Sequence, residues 1–128
     1  MAGTSVQMKA EKRLHLSEIH RKLCQITDVE EVAKNESTVQ GVSIWTLVFE
    51  KYYFRSGSYA SATVVLTEFG QTQTACVVAS GGGSGVVNFS FGANRHFAKD
   101  CLKVLEDCGF AVTDSGLKKG GFLERIFD

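Results

Sequence analysis

Through the middle of this chain apolar and polar residues alternate with a period of two. On either side the spacing changes to that of a helix. Residues 42–54, VSIWTLVFEKYYF, are β-branched and aromatic and predict a strand. Two more strands are predicted over 59–68, YASATVVLTE, and 71–79, QTQTACVVA, with turns at Ser56-Gly57 and Phe69-Gly70. Residues 29–36, VEEVAKNE, read as a polar edge strand, although Glu and Lys are poor strand formers. The segment VVNFSF at 86–91 alternates again and is open to two readings, a fifth strand or an ordered loop.

Leu16, Ile19, Leu23 and Ile26 form an apolar stripe of helical period and predict a first helix over roughly 8–26. Phe97, Cys101, Val104 and Cys108 do the same for a second helix over about 93–108. Gly109 stands where a left-handed residue ends a helix, with Phe110 placed to pack back on Leu105. Residues 111–121 read as loop, and the apolar Phe122, Leu123, Ile126 and Phe127 have to dock somewhere.

Two-residue turns would set Phe49 against Val64 and Leu47 against Leu66. They would also set Ala75 beside Val64 and Val77 beside Ala62. One sheet face then carries Trp45, Leu47, Phe49, Leu66, Ala62 and Val77, with small residues that leave room for a helix. The other face is mixed. It holds Glu50, Ser61, Thr63 and Thr74, but also Val48, Tyr52, Phe54, Tyr59 and Val65. The outer face of an antiparallel sheet is usually more polar than this, so something is expected to cover it. The predicted fold is α+β: a two-layer sandwich in which an antiparallel meander of three to five strands carries an N-terminal and a C-terminal helix on one face. One domain is expected over 1–128, with a core of about 8–110 and a tail, 111–128, docking on the core or on a partner.

Composition narrows the partners. Lys+Arg and Asp+Glu are both 14, so the chain lacks the broad positive field that nucleic acids or membrane surfaces attract. No apolar run is long enough to cross a bilayer, and the first residues are too polar for a secretory signal. Cys24, Cys76, Cys101 and Cys108 form no C-x-x-C pair. Cys101 and Cys108 lie two helical turns apart, about 10 Å, too far for a disulfide. Reduced thiols and a cytoplasmic location follow as the expectation.

The glycine run Gly81, Gly82, Gly83, Ser84, Gly85 is the first candidate for chemistry. It lacks the lysine of a phosphate-binding P-loop. It also places Val86 where dinucleotide and nucleophile-elbow motifs need glycine. A wide turn explains it, and so does a loop that contacts a ligand. Arg95 and His96 at the start of the following helix favour a small anion in the second case. In FEKYYFR, residues 49–55, Lys51 and Arg55 flank Tyr53 as in a single-strand stacking surface. Side chains snorkelling at a sheet edge explain it better. His20 and Cys24, and likewise His96 and Asp100, are spaced to share a helix face. Such pairs arise readily by chance, so no metal or cofactor is assigned. No thiol or hydroxyl is placed beside a histidine and an orienting acid, so no catalytic residue is assigned and the reading leans away from an enzyme.

FEKYYFRSGSYASATVVL together with GGGSGVVNFSFGA resembles a family of small bacterial proteins of unknown function, over roughly residues 40–110. The resemblance implies a compact standalone domain in a bacterial cytosol and transfers no site residue. The expectation for function is a non-enzymatic binding domain, homo-oligomeric through the mixed sheet face. A small-anion binder built on the glycine loop is the alternative, and an enzyme of unidentified type the third.

Overall fold

A computed structural model describes residues 3–54, 57–81 and 87–115, with the backbone alone at 3, 4, 58, 81, 87–95 and 115. The element order is β1 (Gly3–Glu11), α1 (Leu16–Cys24), β2 (Val29–Val39), β3 (Val42–Tyr53), β4 (Ser58–Phe69), β5 (Thr72–Gly81), α2 (Val87–Asp107) and β6 (Ala111–Ser115). The six strands make one antiparallel sheet in the order β2-β3-β4-β5-β1-β6. The fold is therefore α+β, as expected, with six strands rather than three to five.

Two strands correct the sequence reading. The expected helix over 8–26 is split: Gly3–Glu11 is a strand, and the helix is the nine residues Leu16–Cys24. Lys9, Ala10, Glu11 and Lys12 favour helices, but Val6, Met8 and Ala10 alternate and are buried against the core. Pairing with β5 along the whole of β1 overrides local propensity. Ala111–Ser115, expected as loop, pairs with the far side of β1. The VVNFSF segment is neither strand nor loop from Val87 onward but the first turns of α2, which starts earlier than the expected 93. Residues 116–128, the rest of the expected docking tail, lie outside the described residues.

Both hairpin registers differ from expectation by two residues. Leu47 faces Val64, Phe49 faces Ala62, and Val64 faces Val77. The β3–β4 connection is longer than two residues, because Tyr53 and Ser58 are the last pair. At the β4–β5 turn Gly70 takes the first central position with φ 63°, so Phe69 stays in the strand. A shift of two preserves the face of every side chain, so the division into core and outer faces survives. The β2–β3 turn has positive φ at both Gln40 and Gly41, as in a type I′ hairpin.

Leu47, Phe49, Ala62, Val64, Leu66 and Val77 point into the core from the sheet. Leu16, Ile19 and Leu23 of α1, and Phe97, Cys101, Leu102 and Leu105 of α2, belong to the same buried cluster. The end of α2 matches its sequence signal. Gly109 has φ 102°, its N–H donates to the Glu106 carbonyl, and the Phe110 N–H reaches the Leu105 carbonyl. These are the two bonds of a Schellman motif, and Leu105 and Phe110 are both buried.

Candidate functional site

Three regions merit attention: the outer face of the sheet, a cavity at one end of it, and a cluster where α1 meets β2. The outer face carries the expected interface residues. Tyr52 and Tyr59 are paired across β3 and β4, their ring centroids 5.0 Å apart. Phe54 meets Tyr52 edge-on at 5.1 Å. All three are exposed, Phe54 at 88%. Val48 and Val65 are half-buried on the same face, and the exposed Val78 extends it onto β5. Period-two alternation along β3, β4 and β5 puts Val48, Tyr52, Val65 and Val78 on this one face.

The end cavity, about 430 Å³, is lined by Asp28, Lys51, Tyr52, Tyr53, Phe54, His96 and Asp100. Lys51 donates to Asp100 at 3.0 Å and lies over the Tyr53 ring at 5.4 Å. Lys51 and Tyr53 thus turn toward α2 rather than forming a stacking surface in solvent. Burial first, and then the Asp100 carboxylate, push the Tyr53 phenol well above its ordinary range. His96 is exposed at this rim, but Gly82, Gly83, Ser84 and Gly85 lie outside the described residues, as does the Arg95 side chain. Gly81 is the last residue of β5. Of the residues expected to hold an anion, His96 lines this cavity together with Lys51, whose charge Asp100 offsets.

The third region was half legible. His20 and Cys24 share a face of α1, and the structure adds Glu31 from β2. His20 Nε2 lies 2.9 Å from Glu31 Oε2 and 3.4 Å from Cys24 Sγ. Cys24 Sγ is 3.9 Å from Glu31 Oε1. A sharp return of the chain makes this possible. Ile26 accepts from the Val29 N–H, and Asp28 adopts φ 62°, a conformation that aspartate tolerates better than most residues. β2 then runs back beside the helix, with Glu31 opposite Phe49 on the core side. The Trp45 ring centroid stands 5.9 Å from that of His20, and Lys34 Nζ lies over the Trp45 ring, 5.1 Å from its centroid. Burial, and next the Glu31 charge, raise the Cys24 thiol above its ordinary value, while Lys34 acts against them. His96 and Asp100 are not part of this cluster, so the two histidine-containing helix pairs do not combine. Glu31 gave no signal in the sequence, since it stands in a polar edge strand among other acids.

The model of a family of unknown function, DUF6054, matches residues 1–109, and the chain belongs to that family. The match begins upstream of the stretch that carried the resemblance, so β1, α1 and the Cys24 cluster fall within it. No curated protein sequence matches the chain. Among the described residues no helix is long and apolar enough to cross a membrane.

Proposed function

We propose that this protein is a single-domain, non-enzymatic interaction module that pairs with a second copy of itself through the outer face of its sheet. The observation that carries the reading is the aromatic cluster Tyr52, Phe54 and Tyr59, continued by Val48, Val65 and Val78. It lies on the side away from the buried cluster shared by α1, α2 and the sheet. That shared cluster supports placing both helices on the core face, which leaves the outer face uncovered among the described residues. A second sheet packed about 10 Å above it would bury these side chains in an α-β-β-α arrangement. Tyrosine and phenylalanine are the residue types that anchor interfaces, combining large area with few rotatable bonds. Like copies suit the threonines and valines of the face, while its acidic pair, Glu30 and Glu50, lies toward the β2 edge. The four cysteines are all free thiols, which supports a reducing, cytoplasmic setting.

Sedimentation velocity across micromolar concentrations tests this. A dimer that Tyr59→Asp with Phe54→Ser converts to a well-folded monomer is the expected result. A wild-type protein that stays monomeric throughout overturns the reading.

A further inference from the structure

We propose that His20, Cys24 and Glu31 form a binding site for one divalent transition-metal ion of the zinc class. The three residues offer an imidazole nitrogen, a sulfur and a carboxylate, the donor types that such ions take. Their ligand atoms all lie within 4.8 Å of one another. Geometry sharpens the point. In a tetrahedral zinc site with ordinary bond lengths, the distances between neighbouring N, S and O ligand atoms are about 3.4–3.6 Å. The distances here are 2.9 Å from His20 Nε2 to Glu31 Oε2, 3.4 Å from Nε2 to Cys24 Sγ, and 3.9 Å from Sγ to the other carboxylate oxygen, Oε1. The nitrogen-to-sulfur distance already matches a tetrahedral edge, and a turn of the Glu31 carboxylate that aims one oxygen at both other donors completes the site.

The rival reading is a Cys-His-Glu catalytic relay, and the same contacts disfavour it. A relay uses both ring nitrogens, one toward the nucleophile and one toward the acid. Here the sulfur and the carboxylate both approach Nε2. Three donors converging on one point are what a cation requires. Nor are hard ions such as magnesium or calcium suited, because two of the three donors are nitrogen and sulfur. With three protein ligands, the fourth position falls to water or to a group from another molecule.

The site sits on firm supports. Ile19 and Leu23, next to His20 and Cys24, are fully buried and fix the helix face. The ladder with β3 fixes Glu31. Trp45, the chain's one tryptophan, supplies a reporter 5.9 Å from the His20 ring.

The test is a titration of the metal-free, reduced full chain with cobalt(II), followed by absorbance and by Trp45 emission. The expected result is a sulfur-to-cobalt charge-transfer band and tetrahedral d–d bands that saturate at one equivalent. Trp45 quenching should follow the same curve, and zinc should displace the cobalt. Cys24→Ser should abolish the charge-transfer band. Glu31→Gln should weaken binding at least about tenfold, the lower end of what losing even an outer-shell partner costs. Cys76→Ser, on the outer face, should change nothing. The proposal is overturned if no band forms, if the band disappears in Cys76→Ser instead, or if cobalt affinity is the same in Glu31→Gln. Glu31 is exposed and its replacement leaves the core untouched, so this arm stands even if Cys24→Ser folds poorly.

Discussion

Gln73→Leu tests how the sheet holds its buried polar side chain. Gln73 is fully buried on the core side of β5, where every neighbour in the alternation is apolar. Its Nε2 donates to the Leu14 carbonyl and to Glu68 Oε1, each at 2.9 Å. The side chain thereby ties the β1–α1 connection to the end of β4. Leucine has a similar volume, so the main loss is the hydrogen bonds. A bond to a carboxylate contributes about 1.5–3 kcal/mol and one to a carbonyl about 1 kcal/mol. Against this, Gln73 Oε1 is buried with no donor among the described residues. Removing such an atom gives back about 1–3 kcal/mol. The net expected cost is about 1–2 kcal/mol, or a fall in Tm of roughly 4–8 °C for a chain of this length. Urea unfolding followed by Trp45 fluorescence measures it. Acid supplies a second check. Burial pushes the Glu68 carboxyl up, but hydrogen bonds from Gln73 and Lys12, with the Lys12 charge, outweigh it and hold the group below its ordinary 4.5. A carboxyl depressed on folding stabilises the protein above its unfolded pKa, and that stability is lost as pH falls through the folded value. The gap between wild type and variant should be full at pH 7 and narrow below pH 4.5. A variant as stable as wild type at pH 7, or a gap that acid does not narrow, would refute the reasoning.

Two further outcomes can be checked directly. Gly109→Ala should destabilise by about 1–2 kcal/mol in denaturant, since φ 102° is strained for any side chain. The new Cβ would meet Arg13 Nε at 3.1 Å, but that flexible side chain can yield, so the backbone carries most of the cost. Cys101, whose thiol burial pushes up to about 12, and the buried Cys108 should resist iodoacetamide at pH 8 in the native protein. Peptide mapping should show both modified only in denaturant, and rapid native labelling at Cys101 would contradict the packing of α2.

The faces of β3, β4 and β5 were legible because burial on one side imposes a period of two. Parity survived because a turn placed one residue off shifts the register by two. The Gly109 cap was legible because one residue type fits that backbone. β1 was not, because Lys9, Glu11 and Lys12 carry helix propensity while its burial depends on β5, more than 60 residues away. The same limit applied to the α1–β2 cluster. Helical spacing could align His20 with Cys24, but only the turn at Asp28 and the bulged pairing of β2 bring in Glu31. Gln73 was passed over as a core residue for a related reason. Its partners, the Leu14 carbonyl and Glu68, come from the β1–α1 connection and the end of β4.

The position of β1 between β5 and β6 also sets an order of events during synthesis. β2 to β5 follow one another through short turns and can pair as they emerge. β1 is made before them, yet both of its neighbours come later, the nearer beginning at Thr72. At about 5–20 residues per second, the chain between Glu11 and Thr72 takes roughly 3–12 s to make. For that interval Val6, Met8 and Ala10 form an apolar strand with both edges open, held near the growing meander only through α1. The ribosome-bound chain is thus most open to mispairing or chaperone capture at its first strand, and becomes safe only once β5 has been released.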